Sequence, residues 1–136
     1  MRYLRVILAM AALALALIFP GSAAALFLDI QVGPTAQLVA RGAAVDVSVT
    51  VTCDATGTAD VFVTVTQGHG THVAQGSGFT SVTCTGSAQT LVVRVPASSD
   101  TAFKQNKGTV ASAAVFGCDA TECGSETDSE VIEVVK

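Results

Sequence analysis

Val45-Asp46-Val47-Ser48-Val49-Thr50-Val51-Thr52-Cys53 alternates apolar and polar residues for nine positions. Side chains of a strand repeat every two residues, so Val45, Val47, Val49, Val51 and Cys53 share one face. Asp46, Ser48, Thr50 and Thr52 share the other. The stretch predicts a half-buried β-strand, and its pattern recurs along the chain.

Working outward, Leu28, Ile30 and Val32 alternate with Asp29 and Gln31 until Gly33-Pro34 interrupts them. Proline cannot donate to a ladder, so an edge strand with a kink is expected there. A short run from Gln37 to Ala40 leads to a turn at Arg41-Gly42. After the central strand, Asp54-Ala55-Thr56-Gly57 is a turn cluster. Asp60 to Gln67 is the next strand, with Val61, Val63 and Val65 on one side. Phe62 falls among the polar residues, either covered by a neighbouring loop or exposed as a contact. Gln67-Gly68-His69-Gly70-Thr71-His72 is a glycine-rich turn. Val73 to Gln75 and Phe79 to Cys84 are short strands separated by Gly76-Ser77-Gly78. Thr90 to Val95 directs Leu91, Val93 and Val95 inward. Phe103 is expected to plug the polar connection that follows, and Lys104 to Gly108 is a turn. Thr109 to Cys118 is rich in small apolar residues and fits a strand covered on both faces. A last strand near Ser129 to Val135 buries either Ile132 and Val134 or Val131 and Val135.

Seven or eight short strands with turns about every ten residues, and no convincing helical period after residue 25, predict an all-β Greek-key sandwich. A barrel is the less favoured alternative.

Residues 1–25 are expected to be a cleaved signal peptide. Arg2 and Arg5 precede an apolar run from Val6 to Phe19, Pro20-Gly21 breaks it, and Ser22-Ala23-Ala24-Ala25 offers small residues for cleavage. A run of about 14 residues is short of the roughly 20 that span a bilayer, so no stable membrane insertion is expected after cleavage. The domain would be residues 26–136, secreted and either free or wall-associated.

Without Arg2 and Arg5, five basic residues face eleven acidic ones, and the formal charge moves from −4 to −6. With no basic cluster, nucleic acid is not an expected partner. No Trp occurs and the single Tyr is Tyr3, so the expected core is Val, Ala, Leu and Thr. Burial of such small side chains stabilises modestly, which raises the importance of disulfides.

Four cysteines in an exported chain predict two disulfides. Cys53–Cys84 with Cys118–Cys123 is the favoured pairing, since four residues between Cys118 and Cys123 suit a hairpin loop. Cys53–Cys118 is the runner-up. No Cys-x-x-Cys pair points to zinc.

The Pro34 kink, Gly42 and Val47-x-Val49-x-Val51-Thr52-Cys53 resemble the opening strands of immunoglobulin-like domains. With Val82-Thr83-Cys84-Thr85-Gly86 and Phe116-Gly117-Cys118…Cys123, the chain is similar to small exported Ig-like proteins of high-GC bacteria, a group without assigned activity. The Trp of antibody-type domains is missing. Cys118 and Cys123 also match the late bridge of the neocarzinostatin-like apoproteins, whereas Cys53 and Cys84 do not match that family's other, shorter loop. This second resemblance implies a cleft for a small hydrophobic ligand, with Phe79, Phe103 or Phe116 as candidate lining.

Other candidate chemistry is thin. His69 and His72 lack a third ligand at metal spacing. Gly76-Ser77-Gly78 is not a nucleophile elbow. Asp119, Glu122, Glu126 and Asp128 fit no calcium-loop pattern. No metal, cofactor or catalytic residue is therefore expected. The function expected is a non-enzymatic Ig-like domain that contacts an extracellular protein or serves a structural role. A small-ligand carrier is the alternative.

Overall fold

The computed structural model describes residues 26–54 and 57–136; the expected signal peptide at 1–25 and the middle of the turn at 54–57 lie outside the described residues. Seven strands follow in order: β1 Leu28–Val39, β2 Ala44–Cys53, β3 Thr58–His69, β4 His72–Thr83, β5 Gln89–Pro96, β6 Asn106–Cys118 and β7 Cys123–Val135. They form a single sheet in the order β4-β3-β6-β7-β1-β2-β5. The class is all-β, and the sheet nearly closes on itself.

β2 bears out the alternation that predicts it. Val45, Val47, Val49, Val51 and Cys53 are fully buried, while the residues between them are half-buried. β1 shows why Pro34 matters. Antiparallel pairing with β2 slips between Val32 and Ala36, around Gly33-Pro34. Before the kink the described pairing of β1 is with β2; beyond it, Thr35–Gln37 also pairs in parallel with Glu133–Val135 of β7. The expected edge strand is therefore an edge over its first half only. The kink lets one strand join the β2 side of the sheet to the β7 side.

The open edges, β4 and β5, lean together. Gly76 bridges Ala97, and Ser98 N–H donates to Gln75 O at 2.8 Å. A Cβ on Gly76 would lie 2.1 Å from Pro96 O, and one on Gly78 2.3 Å from Arg94 O. These glycines are the points where two backbones cross, not a turn. That corrects the expectation of two short strands here: His72–Thr83 runs unbroken.

The interior is lined by Val, Ala, Leu and Ile, with Phe103 its one fully buried aromatic among the described residues. Phe103 plugs the end of the core beneath the β5–β6 connection, as expected. Its N–H donates to Gly42 O at 2.9 Å. Gly42 has φ +94°, and a Cβ there would lie 2.0 Å from Phe103 O.

Both favoured disulfides are present, with Cα–Cα distances of 5.3 Å for Cys53–Cys84 and 3.9 Å for Cys118–Cys123. In β7, Ile132 and Val134 are the buried pair and Val131 is exposed. β6 departs from its expectation. Thr109, Ala111, Ala113 and Val115 are buried, but Val110 and Phe116 face solvent. Its consecutive apolar residues reflect an apolar outer surface, not a second covering layer.

Candidate functional site

Strand parity builds the outer face of β4, β3, β6 and β7 row by row. The registers place Phe79, Phe62, Ala114 and Thr127 side by side. The next row is Ser81, Asp60, Phe116 and Ser125. On the other side lies a row of small residues, Ser77, Thr64, Ser112 and Ser129, and beyond it Gln75, Thr66, Val110 and Val131. Each set faces outward because its chain neighbours, such as Val61, Val63 and Val65, face the core.

Three phenyl rings form the centre of this face. Phe62 and Phe79 have ring centroids 5.0 Å apart and tilted by 45°, and Phe62 and Phe116 meet edge to face at 5.8 Å. They are 45%, 57% and 49% exposed, so about half of each ring is in water. Phe62 is thus an exposed contact rather than a loop-covered residue. The alternation signalled this, since Phe62 stands on the polar side of its strand.

The face is almost free of charge. Across these four rows Asp60 is the one ionisable side chain, and Ser81 Oγ donates to its carboxylate at 2.7 Å. The remainder is Ser, Thr, Gln, Ala and Val, with Ser129 Oγ donating to Ser112 Oγ at 2.8 Å. The outward residues of β2 and β5 differ. There Arg94 holds Asp46 through two contacts of 2.8 Å. That hydrogen-bonded guanidinium keeps the Asp46 carboxyl below its ordinary pKa.

Of the three phenylalanines considered for a ligand cleft, Phe79 and Phe116 flank Phe62 on this face, and Phe103 sits in the core away from them. An open depression of about 440 Å³ adjoins Phe116, bordered by Gly57, Asp60, Gly117, Cys118 and Cys123.

The remaining candidates have structural employment. The Asp119 carboxylate accepts from Thr121 N–H, Thr121 Oγ1 and Glu122 N–H, at 2.6 to 2.8 Å. These backbone donors to Asp119 lower its pKa, and they shape the Cys118–Cys123 loop. Asp128 accepts from Val32 N–H at 2.8 Å, where β1 departs from β7. Ser77 is mid-strand, opposite Thr64. His69 and His72 face each other across the β3–β4 hairpin. Among the described residues, no group of three or more His, Cys, Asp or Glu is placed to hold a metal.

Sequence reasoning missed Gln67. It extends the inward series Val61, Val63, Val65 and is fully buried. Its Oε1 accepts from Lys104 N–H at 2.8 Å; its Nε2 donates to Lys104 O at 2.8 Å and to Thr109 Oγ1 at 2.7 Å. The side-chain amide thereby acts as one more rung of backbone pairing and pins the β5–β6 connection. His69 Nε2 also contacts Oε1. Because Oε1 only accepts, His69 must donate from Nε2.

No family model and no curated protein matches the chain. Among solved structures it is similar to AggA, the major subunit of aggregative adherence fimbriae type I from Escherichia coli. The TM-score is 0.41 at 14% sequence identity, covering 80% of this chain and 93% of that one.

Proposed function

We propose that the chain is a secreted, non-enzymatic Ig-like module that acts by protein contact through the outer face of β4, β3, β6 and β7. Residues 1–25 would be its signal peptide and residues 26–136 its Greek-key sandwich, either free outside the cell or held at the wall. The two disulfides support an oxidising destination. The kinked β1, passing from β2 to β7, supports the Ig-like reading.

The observation that carries the contact role is the exposed trio Phe62, Phe79 and Phe116. A buried aromatic side chain removes roughly 150–250 Å² from water, so three half-exposed rings leave about 300 Å² of apolar surface. That is in the range of the largest patch on an ordinary monomer, a size often tied to binding.

The test is photo-cross-linking in the producing cell. A benzoylphenylalanine replaces Phe79 on this face, or the exposed Val92 on β5 as control. The expected result is a protein adduct of defined mass from position 79 and none from position 92. No adduct from position 79, or equal adducts from both, would refute a contact role for this face.

The second reading is a carrier of a small hydrophobic ligand, favoured by the depression beside Phe116. Its volume of about 440 Å³ is within the usual range for ligand sites of roughly 300–1,000 Å³. Native mass spectrometry of protein from its host's medium tests it: a retained small-molecule mass supports a carrier, and the bare disulfide-bonded mass counts against one.

A further inference from the structure

We infer that the occupant of the aromatic face is a second copy of this chain, joined in a two-fold, face-to-face dimer. The inference rests on the contact reading and names its partner.

Charge is the first argument. Residues 26–136 carry eleven acidic residues against five basic ones. Two copies repel wherever acidic surfaces meet, so a homodimer needs a neutral contact. The four rows of this face supply one, with Asp60 alone ionisable and hydrogen-bonded to Ser81. A face without charge gives no electrostatic steering to a charged foreign partner, whereas it permits approach by a like-charged copy.

Area is the second. β3 has twelve residues. At about 3.3 Å per residue and about 4.8 Å between strands, four such strands present about 750 Å². Stable dimers bury about 800 Å² on each partner. The full strand length is therefore about the size of one dimer contact, and the four charge-poor rows, about eight residues long, make up about 500 Å² at its centre.

Shape is the third. The small row Ser77, Thr64, Ser112 and Ser129 separates the phenyl row from the row containing Val110 and Val131. Val110 and Val131 are 43% and 68% exposed. A two-fold axis lying along the small row sets Phe79 and Phe62 of one copy over Gln75 and Thr66 of the other, and Val110 and Val131 over Ala114 and Thr127. Each copy thus offers a ridge and the shallower strip that receives it. Residues on the axis, Thr64 and Ser112, meet their own counterparts.

The experiment is sedimentation equilibrium of the disulfide-bonded protein recovered from culture medium, from micromolar to sub-millimolar concentration. Wild type should rise from one chain mass to two. Phe62→Glu puts a charge at the centre of the contact, and it should raise the dissociation constant at least about thirtyfold, the factor of a hot-spot side chain. Val92→Glu, on β5 and outside this face, should dimerise as wild type does. Thr64→Cys should form an interchain disulfide on mild oxidation, and Val92→Cys should not. Phe62→Glu and Thr64→Cys replace exposed side chains, and unchanged circular dichroism verifies their fold.

A wild type that stays at one chain mass throughout overturns the inference, as does a dimer that survives Phe62→Glu. A monomeric wild type that still yields an adduct with a different protein from position 79 refutes self-pairing and leaves the contact reading standing. A monomer with no adduct refutes both.

Discussion

Replacing Gln67 by Leu should cost about 3 kcal/mol, although no apolar contact is lost. Gln67 is fully buried and its amide serves Lys104 N–H, Lys104 O, Thr109 Oγ1 and His69 Nε2. Leucine fills similar space but leaves those groups without a partner. An unmade buried hydrogen bond costs about 1–3 kcal/mol for each stranded group. Thr109 is fully buried and bears that penalty in full; the Lys104 amide is closer to water and bears part of it. A net loss of about 3 kcal/mol follows, since the leucine gains some apolar burial. For a domain of this length, 1 kcal/mol moves the melting temperature by about 4 °C, so a drop of about 10–15 °C is expected. Thr109→Val is the internal control. It strands one hydrogen of an amide that keeps its Lys104 partner, and it should cost about 1 kcal/mol. Thermal unfolding followed by circular dichroism, with both disulfides intact, measures each. Hydrogen exchange adds the local readout: the Lys104 amide should be protected in wild type and fast in Gln67→Leu. A melting temperature within about 4 °C of wild type for Gln67→Leu would refute the claim that this amide pins the β5–β6 connection.

The two disulfides should differ in worth. Cys53–Cys84 closes a separation of 31 residues and Cys118–Cys123 one of 5, which give about 3.7 and about 2 kcal/mol by the chain-entropy relation. Denaturant melts of the two double-alanine variants measure the ordering, and an equal or reversed loss would refute it. Acid sensitivity should reside partly at Asp46. Its folded pKa is lowered by the Arg94 hydrogen bond, so its contribution is present above the unfolded value near 3.8 and is lost as pH falls through the folded one. The pair lies at the surface, with Arg94 65% exposed, so solvent screening keeps its contribution small. Asp46→Asn should therefore melt slightly below wild type at neutral pH and converge with it in strong acid. A gap that widens on acidification would contradict the assignment.

The strand count and inward residues were readable because burial on one side imposes period two. β2 is the clearest instance, and the Val61-Val63-Val65 series of β3 the next. The readings failed where a residue's role depends on a distant backbone. Gly76 and Gly78 have the composition of a turn, yet they are required by Pro96 O and Arg94 O, contacts made twenty residues or so along the chain. Gln67 has the composition of a strand end, yet its partners lie on the β5–β6 connection and β6. Local periodicity holds no information about either. β6 shows a different limit. Alternation identifies two sides but not what covers them, so an apolar outer side reads like a second buried one.

That ambiguity bears on the aromatic face itself. The domain has five phenylalanines, and only Phe103 is buried; Phe27, Phe62, Phe79 and Phe116 are each about half exposed. A core of valine and alanine is short of bulk, and full burial of a phenylalanine contributes roughly 1.5–3 kcal/mol. Stability alone would favour the rings inside. Three of them instead touch one another at the centre of a charge-poor sheet face. Polar residues at those positions would leave the interior unchanged, because the neighbouring odd-numbered residues of β3 form it. The trio therefore adds nothing to the core that the fold requires, which is the ground for proposing that a partner surface lies over it.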